Sequence, residues 1–156
     1  MAEALQLFIN HELAERIRNH GAETFPHECC GALLGRDPAW DEKPAESSRE
    51  VLELFPLINR RDDSPRNRFA VTPEDVRDAE KAARLRGLDV VGWYHSHPDH
   101  PARPSQFDRE HAWPWYSYII VSVMSGTPAE MTSWRLDDDR QGYSQERLKI
   151  RNRAAV

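Results

Sequence analysis

The most constraining feature of the chain is the apolar run at residues 88–95, LDVVGWYH, which ends in a histidine and is followed at once by Ser96 and His97. It is the strongest strand candidate in the sequence, because β-branched and aromatic residues dominate it. Side chains of a strand alternate between its two faces, so His95 and His97 are expected on the same face. The chain therefore has to fold around a strand whose end presents two imidazoles together.

Bulk properties limit the class of protein. A length of 156 residues suits one domain, residues 1–156, and 39% apolar with 30% charged residues is typical of a globular chain. No apolar run is long enough to span a bilayer, and the first residues, MAEALQLFIN, lack a basic region followed by an apolar one, so we expect no secretory signal. The net charge of -5 and pI near 5.8 argue against nucleic acid as a partner. We expect a cytoplasmic protein with neither membrane nor nucleic acid as a partner.

Strand and helix signals alternate along the chain. The predicted helices, each with its capping residue, are 11–22 after Asn10, 73–86 after Thr72, and a short helix to 111 that begins at Ser105. The predicted strands are 4–9, 28–35, 49–58, 69–71, 88–95, 117–123, 129–136 and 142–150. The segments 36–48 and 60–68 are expected to be loops. This order predicts an α/β domain with a mixed sheet.

His95, His97 and Asp108 form a candidate metal site. Imidazole is the commonest protein ligand of zinc and a carboxylate is a frequent third ligand. A short helix beginning at Ser105 would turn Asp108 back toward the histidines, and the three ligands would leave one tetrahedral position open, as in catalytic zinc sites. Each part alone has a simpler interpretation: the histidines as surface or packed residues, and Asp108 as a helix-capping carboxylate.

The complete set resembles a known motif. His95-Ser96-His97-Pro98 followed by Ser105-Gln106-Phe107-Asp108, with the spacing His-x-His-x10-Asp, is similar to the JAMM motif of MPN-domain metalloproteases. The motif's upstream glutamate corresponds to Glu28 in PHECCGALLG. The resemblance extends from about residue 5 through the strand at 117–123. It implies the MPN fold, a mixed, curved β-sheet flanked by helices, which is similar to that of cytidine deaminases.

The resemblance also implies roles. His95, His97 and Asp108 would bind one Zn²⁺ per chain, Glu28 would be the general base, and Ser105 would support the tetrahedral oxyanion. These roles are chemically consistent, because zinc lowers the pKa of a bound water toward ~7. A nearby carboxylate can accept the proton and pass it to the leaving amine. A hydroxyl donor stabilises the developing negative charge.

The implied substrate is the C-terminal tail of a ubiquitin-like protein. PHECCGALLG looks like the small prokaryotic branch, which implies processing of sulfur-carrier proteins by release of cysteine or a tail after a terminal Gly-Gly. We expect such a tail to lie against a sheet edge. An MPN domain that binds without catalysis is the alternative, although such domains usually lack the ligands. A nucleobase deaminase would need a His-x-Glu and Cys-x-x-Cys pattern, which the sequence lacks.

Several residues have no role in the motif or an open one. Cys29 and Cys30 are expected to be reduced thiols packed in a strand, with a catalytic or metal-binding pair as the alternative. Ser96 is expected to make a structural hydrogen bond and Pro98 to end the strand. The roles of His100 and His111 stay open, and the segment from Asp99 to Arg103 could either shape the substrate groove or simply connect two elements. The charged loop 59–68 could contact the carrier or be a solvated loop. The aromatic stretch Trp113-Pro114-Trp115-Tyr116 could pack in the core, form a homodimer contact or line the groove for the tail.

Overall fold

The computed structural model describes residues 5–37, 48–58 and 71–152. Its elements in chain order are β1 (Gln6–Asn10), α1 (His11–Thr24), β2 (Cys30–Arg36), β3 (Arg49–Leu57), α2 (Pro73–Leu85), β4 (Asp89–Pro98), α3 (Gln106–His111), β5 (Ser117–Met124), β6 (Thr127–Leu136) and β7 (Tyr143–Arg151). The predicted loop 60–68 lies outside the described residues, as do most of the loop 36–48 and of the strand 69–71.

The seven strands form a closed barrel in the order β1-β3-β2-β4-β5-β6-β7. Closure is made by β1 and β7, which run parallel from Gln6 opposite Arg147 to Asn10 opposite Arg151. The pairs β1–β3 and β4–β5 are also parallel, whereas β2–β3, β2–β4, β5–β6 and β6–β7 are antiparallel. The predicted α/β fold with a mixed, curved sheet is confirmed, and the curvature amounts to full closure.

The central strands are covered on both faces. One face of β4 carries Val91 and Tyr94 into a core shared with Leu13 and Ile17 of α1. The other face carries Val90 and Trp93 into a second core, shared with Ala79, Ala82 and Ala83 of α2. A register shift between Val90 and Gly92 interrupts the alternation, which is why residues three apart share a face there. Beyond it side chains alternate regularly, so His95 and His97 follow Trp93 on the α2 side of β4. The two helices thus bury β4 along its length and leave its carboxyl end to carry the histidines.

All three predicted helix caps are confirmed. The Asn10 side chain accepts a hydrogen bond from the Leu13 N–H at 2.7 Å. Thr72 and Asp75 form a reciprocal capping box at the start of α2. Ser105 and Asp108 form a second capping box at the start of α3. Among the described residues, no helix combines the length and apolar character needed to cross a membrane.

Several strand boundaries differ from prediction, and two of the differences concern the site. β2 begins at Cys30, so Glu28 precedes the strand. β4 continues to Pro98, beyond the predicted end at His95, because its last residues extend the parallel ladder with β5 as far as Val123. The prediction that Pro98 ends the strand is confirmed. Both histidines therefore stand on a strand that is fixed on one side by β5.

Candidate metal centre and active site

His95 and His97 lie together at the carboxyl end of β4. Their Nε2 atoms are 3.1 Å apart. Both residues are buried, with 1% of His95 and 8% of His97 exposed. The strand alternation predicted from the sequence thus brings two imidazole nitrogens to one point.

Asp108 reaches the same point from α3. Its Oδ2 lies 3.1 Å from His97 Nε2 and 3.3 Å from His95 Nε2. The same oxygen accepts the backbone N–H of Ser105 at 2.9 Å, while the Asp108 N–H donates to Ser105 Oγ at 3.0 Å. The cap that starts α3 therefore also fixes the carboxylate against the histidines. The oxygen that accepts the capping N–H is thus the same one that faces both histidines, so the cap and the predicted metal ligation, which the sequence presented as alternatives for Asp108, do not exclude each other.

Glu28 joins the cluster through the antiparallel register of β2 and β4. Cys30 pairs with His95, and the register continues beyond the ladder because the Ser96 N–H donates to the Cys29 carbonyl at 3.2 Å. This register places Glu28 opposite His97. Glu28 is only 3% exposed, and one oxygen of its carboxylate lies within 4.8 Å of a ring nitrogen of each histidine. Glu28, His95, His97 and Asp108, named here the metal cluster, are thus brought together from distant parts of the chain.

The protonation states suit ligation. His97 Nδ1 lies 2.9 Å from the carbonyl oxygen of Pro101. A carbonyl oxygen only accepts, so Nδ1 carries the proton in the neutral ring and the Nε2 lone pair faces the cluster. Burial lowers the pKa of His95 even though Asp108 acts to raise it. His95 is therefore held as neutral imidazole, the form that binds metal.

Asp108 is held in its ionised form. Burial acts to raise its pKa, but the favourable contacts of the carboxylate with the His95 and His97 rings hold the pKa of this carboxyl well below its usual range. Ionised carboxylates are the form that binds metal ions. The cluster thus combines the neutral imidazole of His95, the inward-facing Nε2 of His97 and one anionic oxygen donor.

The three donor atoms fit a zinc ion. The two Nε2 atoms and Asp108 Oδ2 form a triangle with edges of 3.1, 3.1 and 3.3 Å. Four donors at zinc's usual bond lengths in a tetrahedron are about 3.3 Å apart. The triangle therefore matches one face of such a tetrahedron. Glu28 offers a further oxygen beside it, so the described residues supply a group that could hold a divalent metal.

Two cavities meet at the metal cluster. The first, named here the Trp93 cavity, has a volume of about 270 Å³ and mostly apolar walls. It is lined by Val71, Trp93, His95, Asp108, Glu110, His111, Ala112, Trp113, Tyr118 and Arg140. The second, named here the Glu28 cavity, has a volume of about 320 Å³ and is lined by Glu28, His97, His100, Pro101, Arg103 and Ser105. A linear substrate that crosses the cluster can place one part in each.

The residues of the aromatic stretch after α3 differ in their burial and in their contact with the Trp93 cavity. Tyr116 is buried and meets Trp93 edge-on, with ring centroids 5.7 Å apart. Trp113 packs against the same core and forms part of the Trp93 cavity. Trp115 is exposed. Core packing is thus confirmed for Tyr116, and Trp113 lies where a groove wall would be; the homodimer stays a prediction.

The cysteines are structural thiols. Cys29 and Cys30 are each 1% exposed and form no disulfide. Burial, the largest influence, raises the pKa of Cys29 to about 12 and that of Cys30 still further above its ordinary value. The Cys29 N–H donates to Ser96 Oγ at 2.8 Å, which confirms the structural hydrogen bond predicted for Ser96. Neither thiol has the thiolate character that a nucleophile requires.

With this geometry established, comparison with known proteins identifies the family. The sequence matches the family of prokaryotic homologs of the JAB domain over residues 10–137. The chain belongs to this family. Over 117 residues it is 38% identical to the desampylase of Haloferax volcanii. The aligned residues cover 74% of this chain and 76% of that protein.

Two further similarities extend the comparison of this JAB-family chain. It is 33% identical over 119 residues to the probable TtuB-protein conjugate cleaving protease of Thermus thermophilus. The aligned residues cover 76% of this chain and 72% of that protein. A solution structure of a protein from Salinibacter ruber superimposes with a TM-score of 0.68 at 42% identity, and covers 91% of this chain and 90% of that one. The JAB-family chain is a hydrolase of the JAMM type.

Sequence reasoning missed the second layer of the site. The Pro101 carbonyl fixes the tautomer of His97, and Arg103 lines the Glu28 cavity. Trp93 was predicted as part of a strand, and no role at the site was assigned to it, although it forms a cavity wall. The period-two spacing of Trp93, His95 and His97 is the signal that could have indicated a shared face. For Pro101 the sequence contains no comparable signal, because its role depends on how the loop folds.

Proposed function

We propose that this chain is a zinc peptidase or isopeptidase that cleaves after the C-terminal Gly-Gly of a ubiquitin-like or sulfur-carrier protein. The observation that carries the proposal is the metal cluster, in which three donor atoms have the spacing expected for one face of a zinc tetrahedron and Glu28 lies buried beside them. The names of the Haloferax and Thermus relatives, a desampylase and a probable TtuB-protein conjugate cleaving protease, support a carrier protein as the acyl part of the substrate.

In this mechanism His95, His97 and Asp108 hold the metal. When bound, Zn²⁺ supplies Lewis acidity that makes a water nucleophilic near neutral pH. Glu28 orients the attacking water and accepts its proton on the carboxylate. It then delivers that proton to the leaving nitrogen, so that cleavage produces a carboxylic acid and an amine. Glu28 is suited to this role because it is buried beside the histidines, with one carboxylate oxygen within 4.8 Å of a ring nitrogen of each.

Ser105 supplies the second polar contact to the reacting carbonyl. Its oxygen already accepts the Asp108 N–H at the start of α3, which leaves the hydroxyl proton to be donated elsewhere. Ser105 lines the Glu28 cavity together with Glu28 and His97. The hydroxyl donates a hydrogen bond to the carbonyl oxygen as negative charge develops on it. Capping and catalysis are thus compatible at this residue.

The cavities favour a different substrate path from the expected sheet edge. β4, which carries both histidines, is paired with β2 on one side and β5 on the other. Neither side of β4 is therefore open for a tail to pair with beside the metal cluster. The Trp93 cavity and the Glu28 cavity both reach the cluster, and a carrier tail with its leaving group fits across them.

The test is cleavage of carrier fusions by the zinc-loaded protein, followed by intact mass. Ubiquitin-like carriers with extensions after Gly-Gly should lose the extension. Glu28→Gln should retain one zinc per chain while kcat falls by about 10²- to 10⁴-fold, as expected for loss of a general base. A Glu28→Gln protein that cleaves at the parental rate would show that the base assignment is wrong. Absence of cleavage by the parental protein for every carrier would refute the proposed function.

A further inference from the structure

The loop between β4 and α3 is rigidly fixed to the barrel. Successive backbone groups of residues 99–102 are hydrogen-bonded to neighbouring strands or to His97. These bonds are Asp99 N–H to the Val123 carbonyl at 2.8 Å, Ser122 Oγ to the His100 carbonyl at 2.6 Å, His97 Nδ1 to the Pro101 carbonyl at 2.9 Å, and Thr132 Oγ1 to the Ala102 carbonyl at 2.6 Å. A connection that merely spanned the gap would not need a partner at each residue.

The side chains of His100 and Arg103 project from this fixed loop. Ala102 is fully buried and anchors the loop, whereas His100 and Arg103 on either side are exposed and line the Glu28 cavity. Within the part of the chain that the structure describes, Arg103 has no carboxylate partner. The loop thus holds an uncompensated guanidinium at the wall of the cavity that contains the proposed general base.

The Glu28 cavity is the leaving-group side of the site. A base that delivers a proton to the departing amine has to lie within hydrogen-bond reach of that nitrogen. Glu28 lines this cavity and is absent from the walls of the Trp93 cavity. The amine side of the scissile bond therefore enters the Glu28 cavity, and the acyl side, which ends in Gly-Gly, extends toward the Trp93 cavity.

We infer that Arg103 is a specificity-determining residue that binds a free carboxylate on the leaving group. This inference rests on the proposed peptidase function and narrows its substrate class: the released amine is an amino acid or short peptide with its own C-terminal carboxylate. A lysine side chain of a conjugated protein has no such carboxylate near the scissile nitrogen. Without Arg103, a carboxylate in this cavity would meet the negative charge of Glu28 uncompensated.

Arginine is chemically suited to this task. Its planar guanidinium binds a carboxylate through two parallel hydrogen bonds, and these charge-assisted bonds are stronger than neutral ones. Their usual strength corresponds to a preference of about 10- to 100-fold for a substrate that carries the charge. The anchoring of Ala102 fixes the backbone from which the Arg103 side chain extends, so less conformational freedom is lost when a substrate binds.

The experiment compares three substrates made from one ubiquitin-like carrier. The first extends Gly-Gly by one amino acid with a free carboxylate, the second carries the same amino acid as its C-terminal amide, and the third joins Gly-Gly to the Nε of a lysine. The zinc-loaded parent should cleave the free acid with a kcat/KM about 10- to 100-fold above the amide and the lysine conjugate. Arg103→Ala should lose this preference because its kcat/KM falls for the free acid and stays unchanged for the other two substrates. Arg103→Lys should retain part of the preference.

Arg77→Ala, which removes an exposed arginine from α2, is the control for net charge and should keep the parental preference. Equal cleavage of acid and amide by the parent, or equal slowing of both by Arg103→Ala, would overturn the inference while the peptidase function stood. Failure of the parent to cleave any of the three would overturn both. Zinc content, measured on each variant, separates these outcomes from loss of the metal.

Discussion

At the scale of single residues, one oxygen of Asp108 makes both the contact of a helix cap and the contacts of the proposed metal ligand. Oδ2 accepts the Ser105 N–H and also faces both histidines. Asp108→Asn keeps a carbonyl oxygen for the cap but loses the negative charge, so zinc affinity should fall by roughly tenfold or more. A competing chromogenic chelator measures the affinity. Asp75→Asn alters the equivalent capping box of α2 and should leave zinc affinity unchanged; equal affinities for all three proteins would exclude Asp108 as a ligand.

The capping role of Ser105 and its proposed catalytic role can be separated by comparing the same two helix caps. Ser105→Ala and Thr72→Ala each remove a helix cap and should each lower the free energy of unfolding by about 1 kcal/mol. Only Ser105→Ala should lower kcat, by about 10²-fold or more, because an oxyanion donor is lost. Ser105→Thr restores the hydroxyl and should recover activity. Steady-state kinetics and urea unfolding distinguish the two effects, and similar kcat values for both alanine variants would leave Ser105 as a cap alone.

The site residues could be predicted, and their surroundings could not, for a physical reason. His95, His97 and Asp108 stand at fixed spacing within one segment, where strand alternation and a helix cap determine geometry locally. Glu28 has no local link to them and was assigned through the family resemblance. The roles of Pro101 and Arg103 arise only when the loop meets strands β5 and β6, and no pattern in the sequence encodes that contact.

At the scale of elements, the helices could be predicted from the sequence, whereas the pairing of the strands could not. The capping residues Asn10, Thr72 and Ser105 act within a few positions of the chain, so their effect is visible in sequence. Closure of the barrel joins Gln6 to Arg147, and no short-range signal specifies that pair. The extension of β4 beyond His95 likewise depends on β5, which supplies the partner for each added residue.

The β4–β5 pairing that holds the histidines has a tight point at Gly92. A Cβ at this position would lie 2.1 Å from the Ser117 carbonyl oxygen, a backbone atom that cannot rotate away. Gly92→Ala should therefore shift the strands apart and lower the free energy of unfolding by roughly 1–3 kcal/mol. At Gly142 the nearest atom to an added Cβ is Asp137 Oδ2 at 3.5 Å, an ordinary contact, so Gly142→Ala is the control. Urea midpoints that do not differ between the two variants would contradict this account of the pairing.

At the scale of the whole molecule, the metal cluster joins parts of the fold that the two cores hold independently. Glu28 precedes β2, the histidines end β4, and Asp108 belongs to α3. Both cores consist of apolar residues packed around α1 and α2 and do not include the cluster. The fold should therefore form without metal, unlike small zinc domains that unfold when it is removed.

Metal should nevertheless add stability, because the cluster exists only in the folded chain. A ligand that binds only the native state stabilises it by RT ln(1 + [L]/Kd), which is about 2.7 kcal/mol at a free concentration of 100 Kd. Urea unfolding of the parent at that zinc concentration should show this increase over the EDTA-treated protein, which should itself retain the far-UV circular dichroism of a folded chain. His97→Ala should show little increase, because a ligand is missing. An EDTA-treated parent without cooperative unfolding would mean that the cores depend on the metal, and an equal increase in His97→Ala would place the stabilising zinc elsewhere.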